Sequence, residues 1–270
     1  MTDSTKATSK DIEIERVEGG VGVIFLSRPD QKNMIRTETL EALAQALDEL
    51  NADRDVRAIV LAGRGAHFCA GADLQFLTET RKLPPLLIQD LVYGKAQEAA
   101  KRLYNARKPT VAAVSGAAIT LGCELSLCCD FRVVSDTAFF QELWVRVGLL
   151  PPLGGLFLLP RIVGLGRAAE IALKGRRVDA VEALDWGLAN ELVAGEGYLG
   201  RAIALARELG ELPPQGYRLA KLGLHRGLES TIDHEWTANA LAQPMLITSE
   251  DFREGLASVM ERRPGRYQGR

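Results

Sequence analysis

The sequence predicts an α/β fold, and three observations carry the prediction. Apolar, β-rich runs alternate with segments of helical period; the later runs are apolar throughout, as strands covered on both faces are; and from Glu196 onward the chain reads as helix. Residues 1–10 (MTDSTKATSK) are polar and lack an apolar stretch, so they read as a flexible tail and not as a secretory signal. Ile12–Val17 and Val21–Ser27 are β-rich runs separated by Glu18-Gly19-Gly20, a hairpin signal, and Arg28-Pro29-Asp30 stops the second. Thr37–Leu50 sets Leu40, Leu43, Leu47 and Leu50 at helical spacing. Val56–Ala62 is a buried strand closed by Gly63 and Gly65, and a loop then leads to a helical stretch over about residues 87–107. Lys108-Pro109 ends it, and Thr110–Val114 is a further strand. A helix begins near Leu121 and a strand runs Phe131–Val134. Helices are predicted over Arg201–Leu209, Pro213–Leu228, Ile232–Ala242 and Glu250–Arg262. The expected division is therefore a tail (1–10), an α/β core (11–195) and a helical region (196–270) whose apolar faces bury on the core or on a neighbouring subunit.

Composition narrows the function. Lys+Arg number 33 against 35 Asp+Glu in 270 residues, a net charge of 33 − 35 = −2, which offers no cationic surface for nucleic acid. Cys69, Cys123, Cys128 and Cys129 form no CxxC pair and lie in apolar segments, so they read as buried reduced thiols and the expected location is the cytoplasm. His67, His225 and His234 show no ligand spacing, and no metal site is expected. Residues 111–131 are long enough for a bilayer, but Gly116, Gly122 and Glu124 interrupt them; a strand, a turn and a buried helix fit better than a membrane span. Gly164-Leu165-Gly166 lacks the third glycine of a dinucleotide fingerprint and reads as a turn between helices.

Two small-residue loops, 65–74 and 115–124, each follow a buried strand. Small residues let the backbone approach a ligand and offer it peptide N–H groups, and in the second loop Leu121 and Gly122 open a helix, where such groups are free. Donors of this kind stabilise an oxyanion on a carbonyl. Glu124 lies about one turn further on, flanked by Gly122, Cys123, Leu125 and Leu127. Poor solvation there raises the pKa of a carboxyl and suits it to acid/base work. The alternative is a buried Glu tied to a backbone donor or an arginine.

From Ile12 to Arg262 the chain resembles the crotonase superfamily, the enoyl-CoA hydratase/isomerase family. The resemblance rests on LSRPDQKN (26–33), HFCAGADL (67–74), KPTVAAVSGAAITLGCELSLCCDFRV (108–133), GLLPPLGGLFLLPRIVG (148–164) and LKGRRVDAVEALDWGLANELV (173–193). It implies a spiral of ββα units with a helical C-terminal trimerisation region, assembling as a homotrimer or a dimer of trimers. It also implies an acyl-CoA substrate whose thioester oxygen sits between the N–H groups of Ala72 and Leu121, with Ala70, Gly71, Asp73, Leu74 and Gly122 around it. Asp73 would hold the first loop. The family usually has glycine where this chain has Leu121, so that side chain must point away or narrow the acyl pocket. No cofactor is implied, coenzyme A being part of the substrate.

The family's hydratases use two glutamates. The first matches Glu124; the second falls on Trp144, which cannot exchange a proton. Glu142, two residues earlier and on the same side of an extended segment, could substitute, or be a surface or paired charge. Trp144 would fill space and shape the acyl pocket, or stack on a planar acyl group. Arg28, Lys32 and Lys108 are candidate cations for the nucleotide of CoA, or ordinary solvated charges. The expected activity is hydration of a 2-enoyl-CoA, or its reversal, through a thioester enolate with Glu124 as acid/base. Alternatives are a double-bond isomerase, a decarboxylase, hydrolase or C–C lyase of the same family, and an acyl-CoA-binding protein with little turnover.

Overall fold

Two sheets of unequal size grow from one repeating turn of chain in the computed structural model, which describes residues 6–270. Strands β1 (Lys6–Ser9), β2 (Ile12–Val17) and β3 (Val21–Leu26) form an antiparallel meander, followed by helix α1 (Thr37–Ala52) and strand β4 (Ala58–Gly63). Helices α2 (Leu74–Thr80), α3 (Pro85–Leu91) and α4 (Gln97–Tyr104) come next. Then follow β5 (Thr110–Val114), β6 (Ala117–Ile119), α5 (Leu121–Leu127), β7 (Phe131–Ser135) and β8 (Phe139–Gln141). Helices α6 (Gly155–Val163) and α7 (Leu165–Ala172), strand β9 (Val178–Asp179), helix α8 (Ala180–Asp185) and strand β10 (Glu191–Val193) complete the α/β part. Helices α9 (Tyr198–Gly210), α10 (Pro214–Gly227), α11 (Ile232–Ile247) and α12 (Glu250–Glu261) end the chain.

The large sheet runs β1-β2-β3-β4-β5-β7-β10, parallel from β3 onward, and the small one β6-β8-β9. In successive turns one strand enters the large sheet, the next enters the small sheet, and a helix returns: β5, β6 and α5, then β7, β8 and the α6–α7 pair. This is the ββα spiral that the alternation of short strands and helices implies. Gly19 and Gly20, both at positive φ, make the tight turn between β2 and β3.

β3, β4 and β5 are buried at every position because the large sheet is covered on both faces. One face packs on the main core, which takes in Leu40, Leu43, Leu47 and Leu50 of α1. The other face, with Val23, Val60, Val111 and Val133, is sealed by Ala202, Leu205 and Ala206 of α9.

Three expectations change. Residues 6–9, read as part of a flexible tail, form β1 because the open edge of β2 offers them backbone partners; residues 1–5 lie outside the described residues. The helical region set to begin at 196 begins after Gly210 in packing terms, since α9 is the lid of the large sheet. The single helix expected over 87–107 is two helices joined by a π-helical segment at Val92–Ala96, and it ends at Tyr104. The apolar run 111–131 is a strand, a short strand and a buried helix, and among the described residues no helix is long and apolar enough to cross a membrane.

Candidate active site

The two glycine loops are stitched together by backbone. Phe68 N–H donates to the Ser115 carbonyl at 2.7 Å, Cys69 N–H to Ala117 at 2.8 Å, and Ile119 N–H back to Cys69 at 2.9 Å. Ala117 N–H also donates to His67 Nδ1 at 3.2 Å; burial and the nearby Lys32 ammonium hold that imidazole below its usual pKa, which keeps it neutral and able to accept. Buried Asn33 adds two ties, its Nδ2 donating to the carbonyls of Arg64 (2.9 Å) and His67 (2.7 Å).

Contact this close requires glycine. A Cβ on Gly71 would stand 2.1 Å from Thr120 Oγ1, and one on Gly122 would stand 2.4 Å from the Cys69 carbonyl oxygen. Because Gly71 rests on Thr120, the residues after them, Ala72 and Leu121, leave the seam together. Gly71 O and Asp73 N–H are both bonded to Ile35, whereas Ala72 N–H has no backbone acceptor. Leu121 is the first residue of α5 and has no carbonyl one turn behind it. The Leu121 side chain is buried in the main core. Thr120, just before it, sits at φ 49° and ψ −113°, a strained conformation for a β-branched residue, costing about 1–3 kcal/mol. Its N–H bond to the Gln141 carbonyl (2.9 Å) helps to hold it there.

Glu124 is wholly buried one turn into α5. Its Oε2 accepts from Leu153 N–H (2.7 Å) and Gly155 N–H (3.0 Å), in the Pro-Gly-rich segment that leads into α6; its Oε1 accepts from Trp144 Nε1–H (3.1 Å). Burial pushes this carboxyl up to about 7, and the three donors oppose the rise. Two neutral N–H donors without a protein acceptor and a buried carboxylate that titrates near neutrality can together stabilise an oxyanion and move a proton.

Trp144 does more than fill space: it is a hydrogen-bond donor to Glu124. Glu142 is neither a surface nor an ion-paired charge but is fully buried, which corrects both of those readings. Asp73 caps α2, its Oδ1 accepting from Gln75 N–H, and pairs with Arg28 at 3.0 Å; Leu74 begins α2 with its side chain 72% exposed. Ala70 N–H is taken by the Lys32 carbonyl.

The three candidate cations separate. Arg28 is spent inside the protein on Asp73, Asp11 and the Met34 carbonyl. Lys108 is half-buried, its ammonium on the carbonyls of Leu50 and Asp53 at the end of α1, and burial lowers its pKa to about 8. Lys32 is exposed beside the first loop. Sequence reasoning did not single out Leu153, Gly155, Asn33 or Thr120. The one signal for the first two was the glycine-proline run 148–155. Among the described residues no group of three His, Cys, Asp or Glu side chains is placed to hold a metal ion.

Comparison with known proteins places this geometry in context. Residues 16–270 match the family described as "Enoyl-CoA hydratase/isomerase". A "Probable enoyl-CoA hydratase" of Rhizobium meliloti is 34% identical over 94% of this chain and 96% of its own length. The "1,2-epoxyphenylacetyl-CoA isomerase" of Escherichia coli is 31% identical over 95% of this chain and 98% of its own. The crystal structure of an enoyl-CoA hydratase from Bacillus anthracis is 30% identical and superposes with a TM-score of 0.89, covering 96% of this chain and 100% of that one.

Proposed function

The chain belongs to the enoyl-CoA hydratase/isomerase family, and on that premise we propose that it adds water across the double bond of a 2-enoyl-CoA, or removes it, with Glu124 as the base. The observation that carries the reading is the Glu124 carboxylate, wholly buried and held by three N–H donors, in the same short segment as the unused N–H of Leu121. The thioester oxygen takes the N–H groups of Ala72 and Leu121, which draws electrons from the β-carbon. Glu124 removes a proton from water as the water oxygen bonds to that carbon, and the alkene pair moves to the α-carbon and the oxygen. Charge grows on the oxygen only as the transition state is reached, so donors placed for it in advance lower the barrier. A proton from the glutamic acid then restores the thioester.

A double-bond isomerase is the second reading. Trp144 stands where a second carboxylate would serve hydration, and one carboxylate suffices to carry a proton between carbons. Loss of crotonyl-CoA absorbance by the wild type, with Glu124→Gln slower by about 10²–10⁴-fold, supports hydration. Conversion of a 3-enoyl-CoA without any hydration supports isomerisation and overturns the first reading. Saturable binding without either reaction overturns both.

Lys32 is the cation assigned to the phosphates of CoA, and no further cofactor is required. The oligomer proposed is a trimer or a dimer of trimers in the cytoplasm. What supports the oligomer is α11, which buries none of its residues within this chain and exposes Ile232, Trp236, Leu241 and Met245.

A further inference from the structure

Glu142 sits at a place where a carboxyl has no structural use. It follows Gln141, whose carbonyl accepts the N–H of Thr120, so it lies alongside the start of α5, the helix that carries Glu124. Its side chain is fully buried, and neither oxygen receives a hydrogen bond from backbone, amide or cation. The titratable groups that face it are both on α5: the Glu124 carboxyl and the Cys123 thiol. That thiol is itself driven well above its usual range by burial, so it keeps its proton and brings no charge. Beyond it, the Arg132 guanidinium is occupied by the carbonyls of Leu188, Ser126 and Cys129. On its own segment, the Trp144 indole turns its donor to Glu124.

Two buried carboxyls side by side cannot both ionise cheaply, and the environment chooses between them. Glu124 has three donors for a negative charge; Glu142 has none. The charge therefore settles on Glu124 and the proton on Glu142. A side chain needed only for volume would be cheaper as Gln or Leu, because an unpartnered buried carboxyl costs several kcal/mol (roughly 2–7) to desolvate.

We propose that Glu142 is the proton-storing partner of Glu124, the two forming one acid–carboxylate pair that keeps a proton beside the acyl group through each turnover. The proposal rests on the acyl-CoA reading above. At rest the pair holds one proton, on Glu142. When Glu124 takes a proton from water the pair holds two, and the hydroxide is on the β-carbon. One proton then passes through Glu124 to the α-carbon, and the pair returns to one. Water is added, nothing is oxidised or reduced, and Glu142 acts as a positioning residue through Glu124.

The test is Glu142→Gln in the full chain. Gln matches the neutral acid in shape and lacks only the transferable proton, so a purely structural role would survive the change. Exchange of the α-hydrogens of butyryl-CoA with D₂O is expected to fall roughly 10–100-fold, with KM within about twofold. The alkaline limb of the kcat profile, which reports loss of the stored proton, is expected to disappear. Wild-type exchange and an unchanged alkaline limb in Glu142→Gln would overturn the proposal. If that variant does not fold, infrared spectroscopy of the wild type decides: a protonated-carboxyl band at neutral pH, titrating at lower pH in Glu124→Gln, supports the pair. Absence of the band, or an unshifted one, overturns it. Because the exchange needs only enolate formation, a wild type that exchanges but does not hydrate sinks the hydratase reading and leaves the pair standing.

Discussion

The indole N–H of Trp144 donates to Glu124 Oε1 at 3.1 Å, so the residue standing where a second acid would be serves the first. An aromatic ring there replaces a negative charge beside Glu124 with the positive end of an N–H dipole. A second carboxylate would push the Glu124 pKa up; the indole brings it down.

Trp144→Phe keeps most of the ring and removes the donor. A hydrogen bond to a charged group is worth about 1.5–3 kcal/mol, equal to about 1–2 pKa units, so the Glu124 pKa rises above about 7 by that order. A base works only when ionised, and raising its pKa moves the acid limb of the profile to higher pH. Activity at pH 7 is expected to fall about tenfold and to recover in large part near pH 9. A pH–rate series of kcat/KM checks this; an acid limb that stays in place would show that the indole does not hold the carboxylate.

Gly71→Ala tests the seam between the loops. The added Cβ would meet Thr120 Oγ1 at 2.1 Å, and φ of 101° already disfavours a side chain. Parting the loops moves the Ala72 amide away from that of Leu121, a loss comparable to removing one oxyanion donor, about 10²–10³ in kcat. Gly94→Ala, where a Cβ meets nothing within 4 Å, is the control expected to keep wild-type kcat. Equal kcat for Gly71→Ala and the control would refute the assigned role of the seam.

Arg28→Met separates structure from substrate binding. Arg28 is mostly buried between Asp73 and Asp11, and its loss leaves both carboxylates short of a partner, a cost of about 1–3 kcal/mol seen as a lower Tm. The KM ratio between a CoA ester and the matching pantetheine ester, which lacks the nucleotide, is expected to stay at the wild-type value. Lys32→Ala is expected to raise KM for the CoA ester alone. A changed ratio in Arg28→Met would return that guanidinium to the substrate site.

Much of this was legible in the chain because it is local. Leu40, Leu43, Leu47 and Leu50 announce α1 by period, and all four are buried. Glu124 could be placed in a poorly solvated helix from its neighbours alone, and the small residues of the two loops marked where backbone would come close. The Pro-Gly segment before α6 could not be read in this way. Nothing in the order of its residues says that the amides of Leu153 and Gly155 point at a carboxylate some thirty positions back.

The amino-acid order by itself determined where strands and helices form, which faces are apolar, and that a carboxyl and two glycine-rich turns share a buried neighbourhood; each follows from side-chain period and backbone freedom within a few residues. Only the tertiary structure decided the partners. Docking of the segment before α6 against α5 gave Glu124 its donors and left Glu142 with none, and burial of Arg28 beside Asp73 took it from the substrate. The reason is physical: burial is written in composition along the chain, whereas a hydrogen bond depends on two atoms from distant segments arriving within about 3 Å with the right orientation.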